Sequence, residues 1–195
     1  MGTMVKRLSV IVGILVALST VVTDTAAVAA GGWVAVPGGR FIANAGQVTL
    51  TSSFAITCTS SRAVGTLSPV PAVPIGTIPM GGLTFTGCAA AGFPFSVIQV
   101  GSWDILAGPH DGTTASGSIT KVNLRLSSSF CTATATGTLN FSHTNAGNDL
   151  TVTTSSLTIT AVSGCLGLIT VGEHPTVRAR YVFDPSTPQM LVPAP

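Results

Sequence analysis

The chain has 195 residues, of which 46% are hydrophobic and only 7% charged, with a formal net charge of +2. So sparse and balanced a set of charges excludes nucleic acid as a partner, because neutralising phosphates takes a basic stripe. Solubility has to rest on Thr, Ser, Asn and backbone groups.

The N-terminus sets the expected compartment. MGTMVKR supplies a short positive region (Lys6, Arg7), LSVIVGILVALSTVV is an apolar run of about fifteen residues, and TDTAAVAA ends in the small-residue signal Ala27-Val28-Ala29. The run is shorter than the ~20 apolar residues that span a bilayer, and Asp24 closes it abruptly. Residues 1–29 therefore read as a helical Sec-type signal peptide, cleaved near Ala29. No cysteine follows the apolar run, so a lipid anchor is not expected. The mature chain is expected to be secreted, either extracellular or held in the cell envelope. Residues 30–195 are long enough for one domain with a substantial core and short for two.

Beyond the signal, the chain reads as strands. Val48 to Cys58 (VTLTSSFAITC) is followed by a run ending in GTL at Gly65–Leu67, and then by LTFTGC at Leu83 to Cys88. The same order returns as VNLRLSSSFC (Val122 to Cys131), GTL at Gly137–Leu139, and LTITAVSGC at Leu157 to Cys165. Cys58 to Cys131, Gly65 to Gly137, Leu83 to Leu157 and Cys88 to Cys165 are separated by 73, 72, 74 and 77 residues. So steady a period predicts two pseudo-repeats, about 46–110 and 118–184. Within CTATATGTLNFS, Cys131, Ala133, Ala135, Gly137, Leu139 and Phe141 share one face while threonines take the other, the period of a half-buried strand. TVRARYVFD alternates likewise, with Val177, Ala179, Tyr181 and Phe183 inward. Pro- and Gly-rich turns punctuate the rest. The expected fold is all-β, an antiparallel sandwich or barrel of about ten strands forming one domain over 30–195.

Four cysteines, Cys58, Cys88, Cys131 and Cys165, lie beyond the signal. An even count in an oxidising compartment predicts two disulfides, and four cysteines allow three pairings. If each pseudo-repeat closes itself, the bridges are Cys58–Cys88 and Cys131–Cys165. Each would then restrict the unfolded chain by roughly 3 to 4 kcal/mol.

Catalytic signals are lacking. His110-Asp111, His143 and Glu173-His174 all fall in expected loops and read as solvated turn residues; their spacing fits neither a metal site nor an acid–base pair. No G-x-S-x-G or H-E-x-x-H occurs, so neither an enzyme nor a cofactor is expected. The stretch SPVPAVPIGTIPMGG (Ser68 to Gly82) is more distinctive. Its Val70, Val73, Ile75, Ile78 and Met80 are candidates for an apolar contact surface for an envelope lipid, a cell-wall component or a hydrophobic ligand. The first expectation, ahead of that surface, is that the segment lies back over the sheet and completes the core as an extended strand. Trp33, Trp103, Phe93 and Phe95 are candidates for the same surface, or for the core.

With a signal peptide, a Thr/Gly/Ser/Ala/Val-rich β chain and cysteines set in ITC…GTL, LTFTGC and VSGCLGLITVGE before YVFDPSTPQ, the chain resembles the small secreted four-cysteine proteins of unknown function of actinobacteria. That resemblance implies export and an all-β fold, and no activity. The leading expectation is a secreted or envelope-associated β domain that acts without catalysis, by binding or as a structural surface protein. Two alternatives stand beside it. A pore subunit of the envelope would need strands of about 9 to 11 residues with an apolar lipid-facing band, and a carrier would hold a hydrophobic small molecule inside.

Overall fold

The computed structural model describes residues 32–195; the expected signal helix and the cleavage position near Ala29 lie outside the described residues. In chain order the strands are β1 (Trp33–Val36), β2 (Gly39–Ala45), β3 (Val48–Thr51), β4 (Ala55–Cys58), β5 (Ser60–Leu67), β6 (Gly76–Ile78), β7 (Leu83–Thr86), β8 (Cys88–Ala90), β9 (Phe93–Gln99), β10 (Trp103–His110), β11 (Thr114–Ser127), β12 (Cys131–Thr144), β13 (Asp149–Gly164), β14 (Thr176–Arg178), β15 (Arg180–Phe183) and β16 (Met190–Pro193). A single 3-10 turn at Cys165–Gly167 follows β13.

Eight strands close a ring by antiparallel pairing, in the order β2, β5, β7, β9, β11, β12, β13, β15 and back to β2. Of the two architectures the periodicity allows, the chain adopts the barrel, which leaves no edge in the ring to pair with another chain. The strand count exceeds the expected ten for local reasons. TVRARYVFD bends at Ala179 into β14, which pairs β3, and β15, which pairs β13 and β2. The segments around Trp33 and Leu191, which carry little alternation, pair with each other as the ribbon β1–β16.

One wall consists of β11, β12 and β13, which have 14, 14 and 16 residues and run the height of the barrel. The facing wall is forked. The first half of β5 bonds β7 and its last residues bond β6, while the first half of β11 bonds β10 and its last residues bond β9. Gln99, buried at the fork, replaces the missing ladder. Its Oε1 accepts Leu83 N–H at 2.8 Å, and its Nε2 donates to Ile78 O at 3.2 Å and to Gly101 O at 3.0 Å.

Side-chain alternation sorts inside from outside as the pleat requires. On β12 the residues Cys131, Ala133, Ala135, Leu139, Phe141 and His143 are buried, while the alternate threonines, Asn140 and Ser142 face outward. The twice-written GTL has a packing cause. A Cβ on Gly65 would collide with the Phe41 ring and the Thr77 carbonyl, and one on Gly137 with the Ser156 carbonyl, while Leu67 and Leu139 enter the core. Both expected disulfides are present, Cys58–Cys88 and Cys131–Cys165. They lie toward one end, where Cys88 pairs with Phe95 and the Phe95 ring meets Phe130 beside Cys131. The ribbon β1–β16 covers the opposite end, next to the β10–β11 and β12–β13 turns.

Candidate functional site

The two ends of the barrel interior are filled differently. The cystine end is packed by Cys131, Ala133, Leu126, Val97, Ile56 and Ile159, all buried. Toward the ribbon an internal cavity of about 60 Å³ remains. Its walls come from nearly every strand: Phe41 and Ala43 on β2, Val48 and Leu50 on β3, Ala63 and Leu67 on β5, Trp103 and Ile105 on β10, Leu139 and Phe141 on β12, and Tyr181 and Phe183 on β15. The ribbon supplies its floor through Trp33 and Leu191, each 1% exposed. An apolar void of this size stays dry.

Only three lining side chains carry a polar atom. Trp33 Nε1 donates to Ser116 O at 2.7 Å. The Tyr181 hydroxyl meets Ser61 Oγ at 2.9 Å, and since Ser61 donates to Thr84 O, the phenol is the donor. Tyr181 as a whole is half-buried, but its hydroxyl is withdrawn from water. Burial pushes its pKa up to about 12. Trp103 Nε1 is buried with no partner.

The ribbon is held mainly by side chains. Asn145 Oδ1 accepts Leu191 N–H and its Nδ2 donates to Leu191 O, both at 2.8 Å. His110 Nε2 donates to the same carbonyl at 2.9 Å, while its Nδ1 accepts Gly112 N–H. Ala35 N–H donates to Ser68 O at 3.1 Å. Beneath Asn145 lies His143, which contacts Asn145 Oδ1 at 3.2 Å and the Phe183 ring edge to face.

The residues singled out from sequence divide. Val70, Val73 and Met80 are exposed, Val73 at 93%. Ile75 and Ile78 are not part of that surface: both are buried, because Gly76–Ile78 enters the wall as β6 between β5 and β10. The five candidates therefore do not form one surface: Val70, Val73 and Met80 are exposed, while Ile75 and Ile78 complete the core, as the extended-strand reading expects. Trp33, Trp103 and Phe95 are core, and Phe93 is half-exposed against Phe130.

His143 is a second correction. It was expected in a loop, yet β12 continues to Thr144 and turns its imidazole inward, to 1% exposure. Burial pushes its pKa down, against the raising effect of Asn145 and Asp149. His174 stays in an exposed loop and its Nδ1 lies 3.1 Å from Leu157 O. Its neighbour Glu173 clamps the loop after Cys165 to the β3–β4 turn. Hydroxyls of Ser52, Ser53 and Thr170 hold its carboxylate down at about 2. No group of three metal-ligating side chains occurs among the described residues. The cavity itself was not legible, since alternation marks which side chains turn inward and not how completely they fill the space.

Comparison with protein-family models, with curated proteins and with solved structures finds no match to this chain.

Proposed function

We propose that this is a secreted, non-catalytic binding protein that carries one small hydrophobic molecule, or the end of a hydrocarbon chain, inside its barrel. The observation that carries the reading is the apolar cavity floored by Trp33 and Leu191 of the ribbon. A volume of about 60 Å³ suits the end of an alkyl chain better than a bulky ring system. It is smaller than the ~150 Å³ void that admits benzene, so a longer ligand needs the room that the ribbon side chains vacate on displacement. Two disulfides support an oxidising compartment and therefore export.

The pore reading is less well supported, because the sides are reversed. A membrane barrel turns apolar residues to lipid and polar ones to its lumen, whereas here threonines line the outside of β12 and the lumen is apolar. The test is to recover the protein without detergent from culture medium and to analyse it by native mass spectrometry and solvent extraction. A bound apolar molecule released on denaturation is the expected result. Recovery only with detergent, together with conductance in bilayers, would favour the pore.

A further inference from the structure

We propose that the cystine end of the barrel is a lipid-contact surface, which seats the protein on the interface of an uncharged bilayer through Leu166, Leu168, Phe93 and Phe130. The inference goes beyond the carrier reading and does not depend on it. Phe93 stands in the inward phase of β9, in step with buried Phe95 and Val97, but it lies past the rim and is 52% exposed. Its ring meets Phe130 edge to face at 5.3 Å, and Phe130 O accepts the Cys165 N–H at 2.9 Å. Leu166 comes next in the chain and is 83% exposed. Leu168, 40% exposed, is fastened to the β3–β4 turn by Ser53 Oγ, which donates to its carbonyl at 3.0 Å. These links gather the four side chains around one end of the molecule.

Leu166 is held there against its own preference. Its φ of 48° is in the left-handed region, as is the 62° of Cys165 before it, a conformation that costs any residue with a Cβ and is least costly for Asn and Asp. The Cys131–Cys165 bond, the Leu168 N–H to Cys165 O and the Glu173 clamp fix the turn, so a tethered loop presents a bare leucine to solvent. The chemistry of the patch selects its partner. No Lys, Arg, Asp or Glu occurs in 41–61, 85–103, 126–148 or 150–172, the segments that build this end, and the carboxylate of Glu173 beside them is taken up by Ser53 and Thr170. The charge complementarity that orients one protein on another is therefore missing. The four side chains expose on the order of 400 Å² of apolar area, about half of the ~800 Å² that each partner gives to a stable protein–protein contact. That is too little for a second copy of the chain. Lipid demands no matching shape, and binding to it grows with each apolar side chain immersed. The ribbon, at the opposite end, then faces away from the lipid.

The experiment uses the protein recovered from culture medium and two kinds of vesicle, one of pure phosphatidylcholine and one of equal parts phosphatidylcholine and phosphatidylglycerol. Co-sedimentation gives the bound fraction, and a nitroxide-bearing phosphatidylcholine broadens the NMR resonances of the side chains that enter the interface. Both kinds of vesicle should bind the protein alike, and salt should not release it, because no charge takes part. Leu166, Leu168 and Phe93 should broaden while Leu191 of the ribbon does not. Leu166→Asn is the decisive variant, since asparagine suits the left-handed backbone better than leucine and the fold loses nothing by it. Its partition into phosphatidylcholine should fall about tenfold, with the melting temperature unchanged or raised. Absence of binding to phosphatidylcholine, binding only to the anionic vesicles and reversed by salt, or an unchanged partition in Leu166→Asn would overturn the inference and leave the carrier reading standing. Self-association of the intact protein that Leu166→Asn abolishes would overturn it too, and would assign the patch to a second copy. The nitroxide arm needs no variant, so it decides by itself whether this end meets the lipid.

Discussion

Asn145 pairs with Leu191 as a neighbouring strand would, taking its N–H and giving to its carbonyl through one side-chain amide, both at 2.8 Å. That amide fastens the ribbon over the cavity to the β12–β13 turn. Asn145→Ala should cost about 1 to 2 kcal/mol locally, because it removes two hydrogen bonds and leaves a half-buried strand group unmet. Hydrogen exchange should find protection at the Leu191 amide reduced about tenfold or more, with the amides of β11 and β12 unchanged. Equal loss across the barrel would mean that the ribbon does not open on its own.

Acid should weaken the protein through His143. Its folded pKa lies below the ordinary value of 6.5 because burial disfavours the cation. The unfolded chain therefore binds the proton more readily. The resulting stability is present in full above about 6.5 and is lost as pH falls from there toward the folded value. Melting temperatures measured between pH 8 and pH 5 (values chosen to bracket ~6.5) should decline, and His143→Gln should flatten that slope even if it lowers the overall melting temperature.

The alkaline limb belongs to Tyr181, the one tyrosine of the chain. Its hydroxyl is raised from 10.0 to about 12, so the folded state resists ionisation. That contribution is complete below pH 10 and is lost as pH rises toward about 12. Absorbance of the phenolate should show a single titration with a midpoint near 12, or a sharp unfolding-coupled step before it. A reversible midpoint near 10 in the folded protein would place the hydroxyl in water.

Gln99 closes the fork between the two halves of the short wall, with three hydrogen bonds to β6, β7 and the β9–β10 turn. Gln99→Leu keeps the volume but orphans Leu83 N–H, Ile78 O and Gly101 O. A loss of about 2 to 4 kcal/mol in denaturant unfolding is expected, since buried groups left without partners carry their full desolvation cost.

Much of the barrel was legible because a half-buried strand repeats every two residues, and β12 and β14–β15 display that repeat without interruption. The duplicated LTFTGC and LTITAVSGC pointed to the cystine pairing that the fold contains. The ribbon was not legible: WVAV and MLVP are uniformly apolar, carry no period, and find each other only across the length of the chain. Gln99 and His143 each stand on an inward position of a regular strand, so a polar residue out of phase was the available signal for both. In SPVPAVPIGTIPMGG the exposed Val70, Val73 and Met80 look the same in sequence as the buried Ile75 and Ile78, because only the docking of β6 between β5 and β10 separates them.

A protein that takes up an apolar guest inside its barrel carries its own reporter of that guest, because both of its tryptophans, Trp33 and Trp103, line the cavity. The measurement that tests this is tryptophan emission during titration with a linear alkene, oct-1-ene, in detergent-free buffer. A blue-shifted spectrum that changes saturably, with one guest per chain, is predicted. Emission that stays constant up to the solubility limit of the alkene, while calorimetry registers no heat, would contradict an interior binding site.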